Sequence, residues 1–600
     1  MLILADDLGW RDVGCFGSTF HETPNIDRLA ERGMRLTQAY AASPLCSPTR
    51  SSILTGQYPA RIGITSPACH LPQAQLEKKL AADPPPAVKA VNADSLTRLK
   101  PEYFTLAEAL REAGYATAHF GKWHLGHSGP YEPMDQGFDL DFPHTPSAPG
   151  PGGGYLAPWK FIKEPPLAGK AGEHIEDRMS QEAARFIRAH KDRPFYVNYW
   201  AYSVHSPWNA RRDYIDHFKA RVVESNPQHN PLYAAMIKSL DDGVGRLLDA
   251  VDEAGVADRT FIVFFSDNGG YAYPPKATDP EGYEETPATS NLPLRSGKAS
   301  LYEGGTREPC ILVWPGTIQP GSASDALFQS TDFYPTLLAA CGIQPRGGLK
   351  LDGFNQMPLL LGRQSPRDLV FCHFPHGGPR QAATIPGFLP GAYVRRGDWK
   401  LIRFFADNDD GSDRFELFNL KEDIGESRNL AAEKPELVGE LNELISGLLR
   451  DTEAVVPVRN PVYDPNAAKP DPLQGWKARS CEAAVKGGIV TVIGKGAAPF
   501  LGVAPGKVQG PAVVRLRARS AGGGEGKIEW LPAGAAGNPA EAKSVPFRLP
   551  GGDWQELRIA VPARGPLGIV RVYLPAQEEP VEIDWIELTA DGKPRKWGFE

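Results

Sequence analysis

Short, uninterrupted apolar runs recur along this 600-residue chain with long amphipathic stretches between them. Leu2–Ala5 (LILA), Pro194–Ala201 (PFYVNYWA), Thr260–Phe265 (TFIVFF) and Cys310–Trp314 (CILVW) are strand-length and lack a polar face. A strand buried on both sides in a parallel sheet needs that pattern. Thr105–Ala113, Ser180–His190 and Leu232–Ala254 read as helices. In the last of these Leu240, Val244, Leu247, Leu248 and Val251 fall at helical spacing, and Gly255 supplies a stop. Strands joined by crossover helices define an α/β fold.

From about Gly391 the texture changes. Tyr393–Phe405 and Arg414–Asn419 predict antiparallel strands, and Pro435–Arg450 an amphipathic helix. Pro457, Pro461, Pro465, Pro470 and Pro472 then mark a stiff, extended linker. Ile489–Ile493, Ala512–Ala518, Lys527–Leu531, Trp554–Val561 and Gly568–Leu574 are short β patterns separated by turn residues, as in a β-sandwich. The expected organisation is an α/β domain over 1–390, an antiparallel subdomain with a helix over 391–455, a linker over 456–474 and a β-sandwich module over 475–600.

Composition removes several classes. Apolar residues at 41% and charged residues at 23% exclude a mostly disordered chain. A formal charge of −7 without a long basic run argues against nucleic acid as a partner. No stretch approaches the roughly 18 apolar residues of a membrane span. Gly and Pro number 62 and 57, against about 72 together at average usage, which suits a site built from long connections. The seven cysteines (15, 46, 69, 310, 341, 372 and 481) form no C-x-x-C pair, so neither a zinc knuckle nor a disulfide framework is indicated. Met1 is followed at once by Leu2–Ala5 and Asp6-Asp7, with no secretory signal, an abrupt start inside a first strand.

Chemistry concentrates where the strands end. Asp6-Asp7 follow the first run and Asp267-Asn268-Gly269-Gly270 follow TFIVFF, the edge where open α/β sheets gather ligands. Three carboxylates and an amide oxygen form an all-oxygen set that suits Ca²⁺ or Mg²⁺ rather than zinc; each pair alone would be an ordinary turn or helix cap. Between them lies Cys46-Ser47-Pro48-Thr49-Arg50, followed by Ser51-Ser52-Ile53-Leu54-Thr55-Gly56. A lone cysteine is usually a small buried hydrophobe, but this string resembles the signature of type I sulfatases of the alkaline phosphatase superfamily, with Thr49 where Ser is commoner. The resemblance runs from residue 2 to about 450 and takes in Gly397-Asp398-Trp399-Lys400-Leu401-Ile402, Glu416–Leu420 and Asn429-Leu430.

The resemblance implies an alkaline phosphatase-like fold and a Cys46 oxidised to formylglycine by a maturation enzyme. In such enzymes one hydroxyl of the hydrated aldehyde attacks sulfur and expels the alcohol, and the other loses its proton as sulfate leaves. It further implies Asp6, Asp7, Asp267, Asn268 and the modified Cys46 as ligands of Ca²⁺ or Mg²⁺. Arg50 would hold the nucleophile. Lys122 and His124, in Gly121-Lys122-Trp123-His124-Leu125-Gly126, would be a sulfate clamp and the partner of the second hydroxyl. Two residues apart after the strand-like Tyr115–Phe120, the two side chains point the same way only if the backbone is extended. His205 would protonate the leaving oxygen, and Lys298, before Glu303-Gly304-Gly305-Thr306-Arg307-Glu308-Pro309, would be the second sulfate lysine. Singly, each is an unremarked loop residue.

Substrate selection is far less legible. His21, His70, Trp208, Asn291 and Phe371-Cys372-His373-Phe374-Pro375-His376 are candidate pocket residues. Trp554 and Trp585 read as core tryptophans of the β module, with sugar stacking as the alternative. The Gly/Pro-rich Ala148–Gly154 is a loop. The resemblance favours a sulfated carbohydrate of galactose or N-acetylgalactosamine type, in the periplasm or outside the cell. Phosphonate or phosphodiester hydrolysis, or an inert carbohydrate-binding relative, are the competing expectations.

Overall fold

The computed structural model describes residues 1–599 apart from 152–153, 164, 274–286, 468–471, 487, 496–497, 507, 533–541, 576–578 and 591–592. Gly152 and Gly153 of the Gly/Pro tract, and Pro470 of the Pro-rich stretch, lie outside the described residues. The chain divides into two compact units, 1–468 and 469–600.

A nine-stranded sheet organises the first unit. Its strands are β1 Leu2–Ala5, β2 Met34–Tyr40, β3 Ala116–Gly121, β4 Leu140–Phe142, β5 Phe195–Trp200, β6 Ile262–Ser266, β7 Arg307–Val313, β8 Ser322–Ser324 and β9 Phe328–Gln329. Their order is β8-β2-β7-β6-β1-β5-β3-β4, with β9 also against β2. The strands from β6 to β4 are parallel, whereas β7 runs antiparallel to β6 and β2. The sheet is therefore mixed and mainly parallel, as the sequence predicts.

Side-chain parity explains why β1 lacks a polar face. Ile3 and Ala5 join one apolar cluster, with α1 (Pro24–Arg32), α4 (Ile175–Ala189) and α5 (Pro231–Glu253). Leu2 and Leu4 join another, with α2 (Cys46–Thr55), α3 (Leu106–Glu112) and α6 (Phe333–Ala340). Successive residues point to opposite faces, and helices cover both. Local signals fix the helix ends. At α3, Thr105 Oγ1 accepts from Glu108 N at 3.1 Å while Glu108 accepts from Thr105 N at 2.7 Å, a reciprocal cap. At α5, Asn230 accepts from Leu232 N and Tyr233 N ahead of Pro231.

A second sheet completes this unit. Strands β10 Leu369–Phe374, β11 Gly391–Arg396, β12 Trp399–Phe404 and β13 Arg414–Asn419 are consecutive and antiparallel. It starts upstream of residue 391, because Leu369–Phe374 supplies its first strand. Gly397, at φ 57°, makes the two-residue turn into β12. Helix α7, Pro435–Asp451, buries Leu441, Ile445 and Leu449. The Pro-rich stretch is tied down at its start. Val458–Arg459 pairs with Ala90–Val91, and Asp464 N donates to Pro86 O at 2.8 Å.

In the second unit ten strands within Lys477–Trp597 make one continuous antiparallel network. Two patterns read as separate strands are a single one, Gly552–Tyr573. Trp476, Trp530 and Trp597 lie in its core. Trp554 and Trp585 do not, contrary to the expectation from sequence: both are half-buried. Arg517 and Arg519 lie over Trp554 at 5.2 and 4.7 Å, and Arg515 and Lys596 over Trp585 at 5.5 and 4.5 Å. Among the described residues, no helix is long and apolar enough to cross a membrane.

Truncating Ile445, fully buried beneath the second sheet, opens a cavity that costs about 2–5 kcal/mol. Ile445→Ala should lower the urea midpoint of the first unit accordingly, and an unchanged midpoint would show that α7 does not bear on the fold.

Candidate active site

Parallel strands put their C-terminal ends on one edge, and four neighbours, β6-β1-β5-β3, deliver the chemistry there. Asp6 and Asp7 follow β1, Asp267 and Asn268 follow β6, Lys122 and His124 follow β3, and His205 lies five residues beyond β5. Cys46 is the first residue of α2, with Leu45 as cap, where the positive end of the helix dipole favours negative charge. Lys298 comes from the connection between β6 and β7.

Ligand atoms of Asp6, Asp7, Cys46 and His205 all lie within 4.8 Å of one another. The fully buried Arg50 donates from Nε to Asp267 Oδ2 at 2.8 Å, and its Nη2 forms ion pairs with Asp267 Oδ2 at 2.7 Å and Asp6 Oδ2 at 3.3 Å. Arg50 Nη1 also donates to Lys122 O at 2.7 Å. Lys122 Nζ reaches Asp6 Oδ2 at 2.5 Å. Lys298 Nζ reaches both Asp7 oxygens at 2.6 and 2.7 Å and stands 4.0 Å from Cys46 Sγ. Asn268 Nδ2 donates to Asp7 Oδ1 at 2.8 Å. His205 Nε2 is 3.9 Å from Asp7 Oδ2. Nine of the ten catalytic and metal residues expected from sequence therefore meet at this edge, and His124 lies close enough to Lys122, Arg50 and Asp6 to feel their charge.

Two of them adopt strained backbone. Asp7 has φ 63° and His124 φ 57°, the left-handed region that non-glycine residues avoid and that clusters at functional sites. Lys122 and His124 are thus not on an extended segment: the chain leaves β3 at Gly121, φ 103°. Trp123 between them stacks on Trp200 at 6.0 Å.

Burial and charge set the protonation states. Burial pushes the Cys46 thiol up, against the pull of Lys122 and Lys298; a neutral thiol is a poor nucleophile. Burial raises Asp7, but Lys298, His205 and Lys122 outweigh it and hold the carboxyl well below its ordinary value. Asp6 is likewise lowered, by Lys122, His205 and Arg50 against burial. Asp267 is raised to about 6 by burial and the Asp6 charge. Burial, then Lys298 and Lys122, bring His205 down to about 4; burial, then Lys122 and Arg50, hold His124 well below its ordinary value.

The donor set fits a hard divalent cation. Asp6 Oδ1 and Asn268 Oδ1 are buried without a hydrogen-bond partner, and buried polar atoms are rarely left unsatisfied. Oxygen ligands at this density suit Ca²⁺ or Mg²⁺.

The remaining candidates from sequence are placed differently. His70 Nδ1 lies 3.1 Å from His124 Nε2. Asn291 is buried and donates to Gly270 O and Ser296 O, tying the turn after β6 to the loop that carries Lys298. His21 bonds Asp12 O at 2.9 Å, and Trp208 is packed against Tyr233 and Tyr271. His373 is buried in β10, and His376 bonds Thr65 Oγ1 at 2.9 Å. Sequence reasoning missed Glu176 and Tyr155. Glu176 accepts from Tyr202 N and Ser203 N at 2.9 Å each, and Tyr155 donates to Tyr202 O and His205 O. Both fix the segment bearing His205 from distant positions, with no motif to mark them.

Arg50 neutralises two carboxylates that water cannot reach, and removing one partner of a buried pair costs about 3–5 kcal/mol. Arg50→Leu should lower the urea midpoint of the first unit by that much, with Arg50→Lys recovering only part. A wild-type midpoint for Arg50→Leu would contradict the electrostatic reading.

Known proteins resemble the chain over most of its length. The sulfatase family model matches residues 1–343, and the C-terminal model of N-sulphoglucosamine sulphohydrolase matches 297–451. The chain is 30% identical to human N-acetylgalactosamine-6-sulfatase over 511 residues, covering 80% of this chain and 90% of the relative. It is 31% identical to human arylsulfatase A, covering 74% and 86%. The crystal structure of Ps i-CgsB in complex with k-i-k-neocarrahexaose is similar at a TM-score of 0.58 and 27% identity, covering 75% and 92%. With a family match over more than half of its length, the chain belongs to the sulfatases: it is a sulfuric ester hydrolase of the type I branch of the alkaline phosphatase superfamily.

Proposed function

We propose that the protein removes sulfate from a carbohydrate sulfate ester, of galactose or N-acetylgalactosamine type, with formylglycine at position 46 and Ca²⁺, or Mg²⁺, held by Asp6, Asp7, Asp267 and Asn268. The observation that carries this is the buried cluster in which Cys46 Sγ lies within 4.8 Å of Asp6 and Asp7 ligand atoms, beside two orphaned oxygens. A bound cation supplies Lewis-acid polarisation and lowers the pKa of a hydroxyl on it. The sugar class rests on the likeness to N-acetylgalactosamine-6-sulfatase across most of both chains. A periplasmic or extracellular location suits such a substrate.

The chain's own residues divide the remaining work. Lys122 and Lys298 stand on two sides of the cluster and can clamp sulfate oxygens, the preorganised charge that dominates many active sites. Burial, with Lys298 and Lys122 working against Asp7 and Asp6, keeps His205 neutral. An anionic ester between those lysines reverses the balance and lets His205 carry a proton to the leaving oxygen. His124, neutral and buried, takes a proton from a hydroxyl at residue 46. Arg50 keeps Asp267 and Asp6 in place. Cys46 is 1% exposed, so a maturation enzyme must reach it before the fold closes around α2.

Peptide mass spectrometry over residue 46 should find the CH₂SH group replaced by CHO. Cys46→Ala should release no sulfate from N-acetylgalactosamine 6-sulfate while keeping its Tm. Lys298→Ala should lose about 10²–10³ in turnover, the usual cost of one charge-stabilising donor. Undiminished sulfate release by Cys46→Ala would overturn the proposal.

A further inference from the structure

The mouth of the site carries a histidine that these roles do not use. His70 is half-buried, and its ring centroid lies 5.3 Å from that of His124. The segment that bears it is fastened from below. Arg98, 1% exposed, donates to the carbonyls of Cys69, Thr97, Leu71 and Pro72 at 3.4, 2.7, 2.9 and 3.3 Å. Among the described residues it has no carboxylate partner. His127 Nε2 adds contacts at 3.2 Å to His70 O and Leu71 O. An arginine that gives three of its hydrogen bonds to the carbonyls of one short loop fixes the place of that loop.

The ring contact has a chemical consequence. Burial lowers both histidines, so a 3.1 Å N···N contact between neutral rings joins one N–H to one lone pair. If His70 Nδ1 donated, the proton of His124 would sit on its Nδ1 and no lone pair would remain there. If His124 Nε2 donates, Nδ1 keeps its lone pair. That atom is buried and has no hydrogen-bond partner among the described residues, as a base awaiting a proton requires. The second hydrogen bond of a working histidine commonly sets its tautomer in this way.

Resting on the sulfatase reading above, we infer that His70 is a positioning residue whose Nδ1 accepts the Nε2–H of His124, holding His124 in the tautomer whose Nδ1 can take a proton. When a hydroxyl at residue 46 is deprotonated, its O–H bond breaks and the proton joins the Nδ1 lone pair. The resulting imidazolium keeps its Nε2–H on His70. The electron pair of the broken O–H bond re-forms the aldehyde C=O, and the C–O bond to sulfate breaks with its pair leaving on sulfate.

Three substitutions separate this role from packing or substrate contact, with kcat and KM measured by sulfate release from N-acetylgalactosamine 6-sulfate. His70→Ala and the space-filling His70→Leu accept no hydrogen bond. Both should lose about 10- to 100-fold in kcat, as outer partners of catalytic groups do, with KM and Tm unchanged. His70→Asn presents a carbonyl oxygen near the Nδ1 position and should restore most of kcat. A raised KM at wild-type kcat would make His70 a substrate contact, and equal losses in all three variants would make it structural; either overturns the inference. Cys46→Ala and His124→Ala run beside them. Sulfate release by those two would sink the reading of the site itself. If they are inactive while His70→Ala keeps wild-type kcat, only the inference fails.

Discussion

Three carboxylates at the end of two neighbouring strands cannot share a buried edge unless positive charge balances them. Asp6, Asp7 and Asp267 meet Arg50, Lys122 and Lys298 there, each within hydrogen-bond reach of a partner. The formal charges of that set cancel. A divalent cation on the carboxylates would leave the site doubly positive, with the two lysine heads free to turn toward an anionic ester. The same electrostatic requirement that lets the sheet edge stay buried thus prepares it for a sulfate.

The fold supplies this balance from far-apart segments. Arg50 comes from α2, Lys122 from the end of β3 and Lys298 from the connection before β7, while β1 and β6 carry the acids. The sheet order β6-β1-β5-β3 makes neighbours of residues separated by up to 260 positions. Around them lies a supporting layer that touches no reacting group. Glu176 and Tyr155 hold the His205 segment, Asn291 joins two loops, and Ser47 Oγ donates to His124 O at 2.7 Å.

The sequence made the strand-end chemistry legible because a two-sided apolar strand followed directly by Asp-Asp or Asp-Asn has few other uses. Helix α2 escaped notice: all ten of its residues are buried, so it has no polar face and no amphipathic period, and Pro48 with three serines argues against a helix. Strand β2 was missed because Arg35, Thr37 and Gln38 interrupt its apolar residues. For Trp554 the strand period held the answer. Ile559, Val561 and Ala563 enter the core, so the even-numbered positions of that stretch of the strand, Trp554 among them, face outward. Contacts such as His70 with His124, or Glu176 with Tyr202 and Ser203, depend on loop paths and leave no trace in spacing.

The most direct measurement is a crystal structure of the mature protein grown with calcium. The account predicts one cation bound by oxygens of Asp6, Asp7, Asp267 and Asn268 at about 2.3–2.6 Å, with an oxygen of residue 46 in the same shell and Lys122 and Lys298 drawn off the carboxylates. An ion held elsewhere, or an edge whose carboxylates keep only their arginine and lysine partners at saturating calcium, would contradict it.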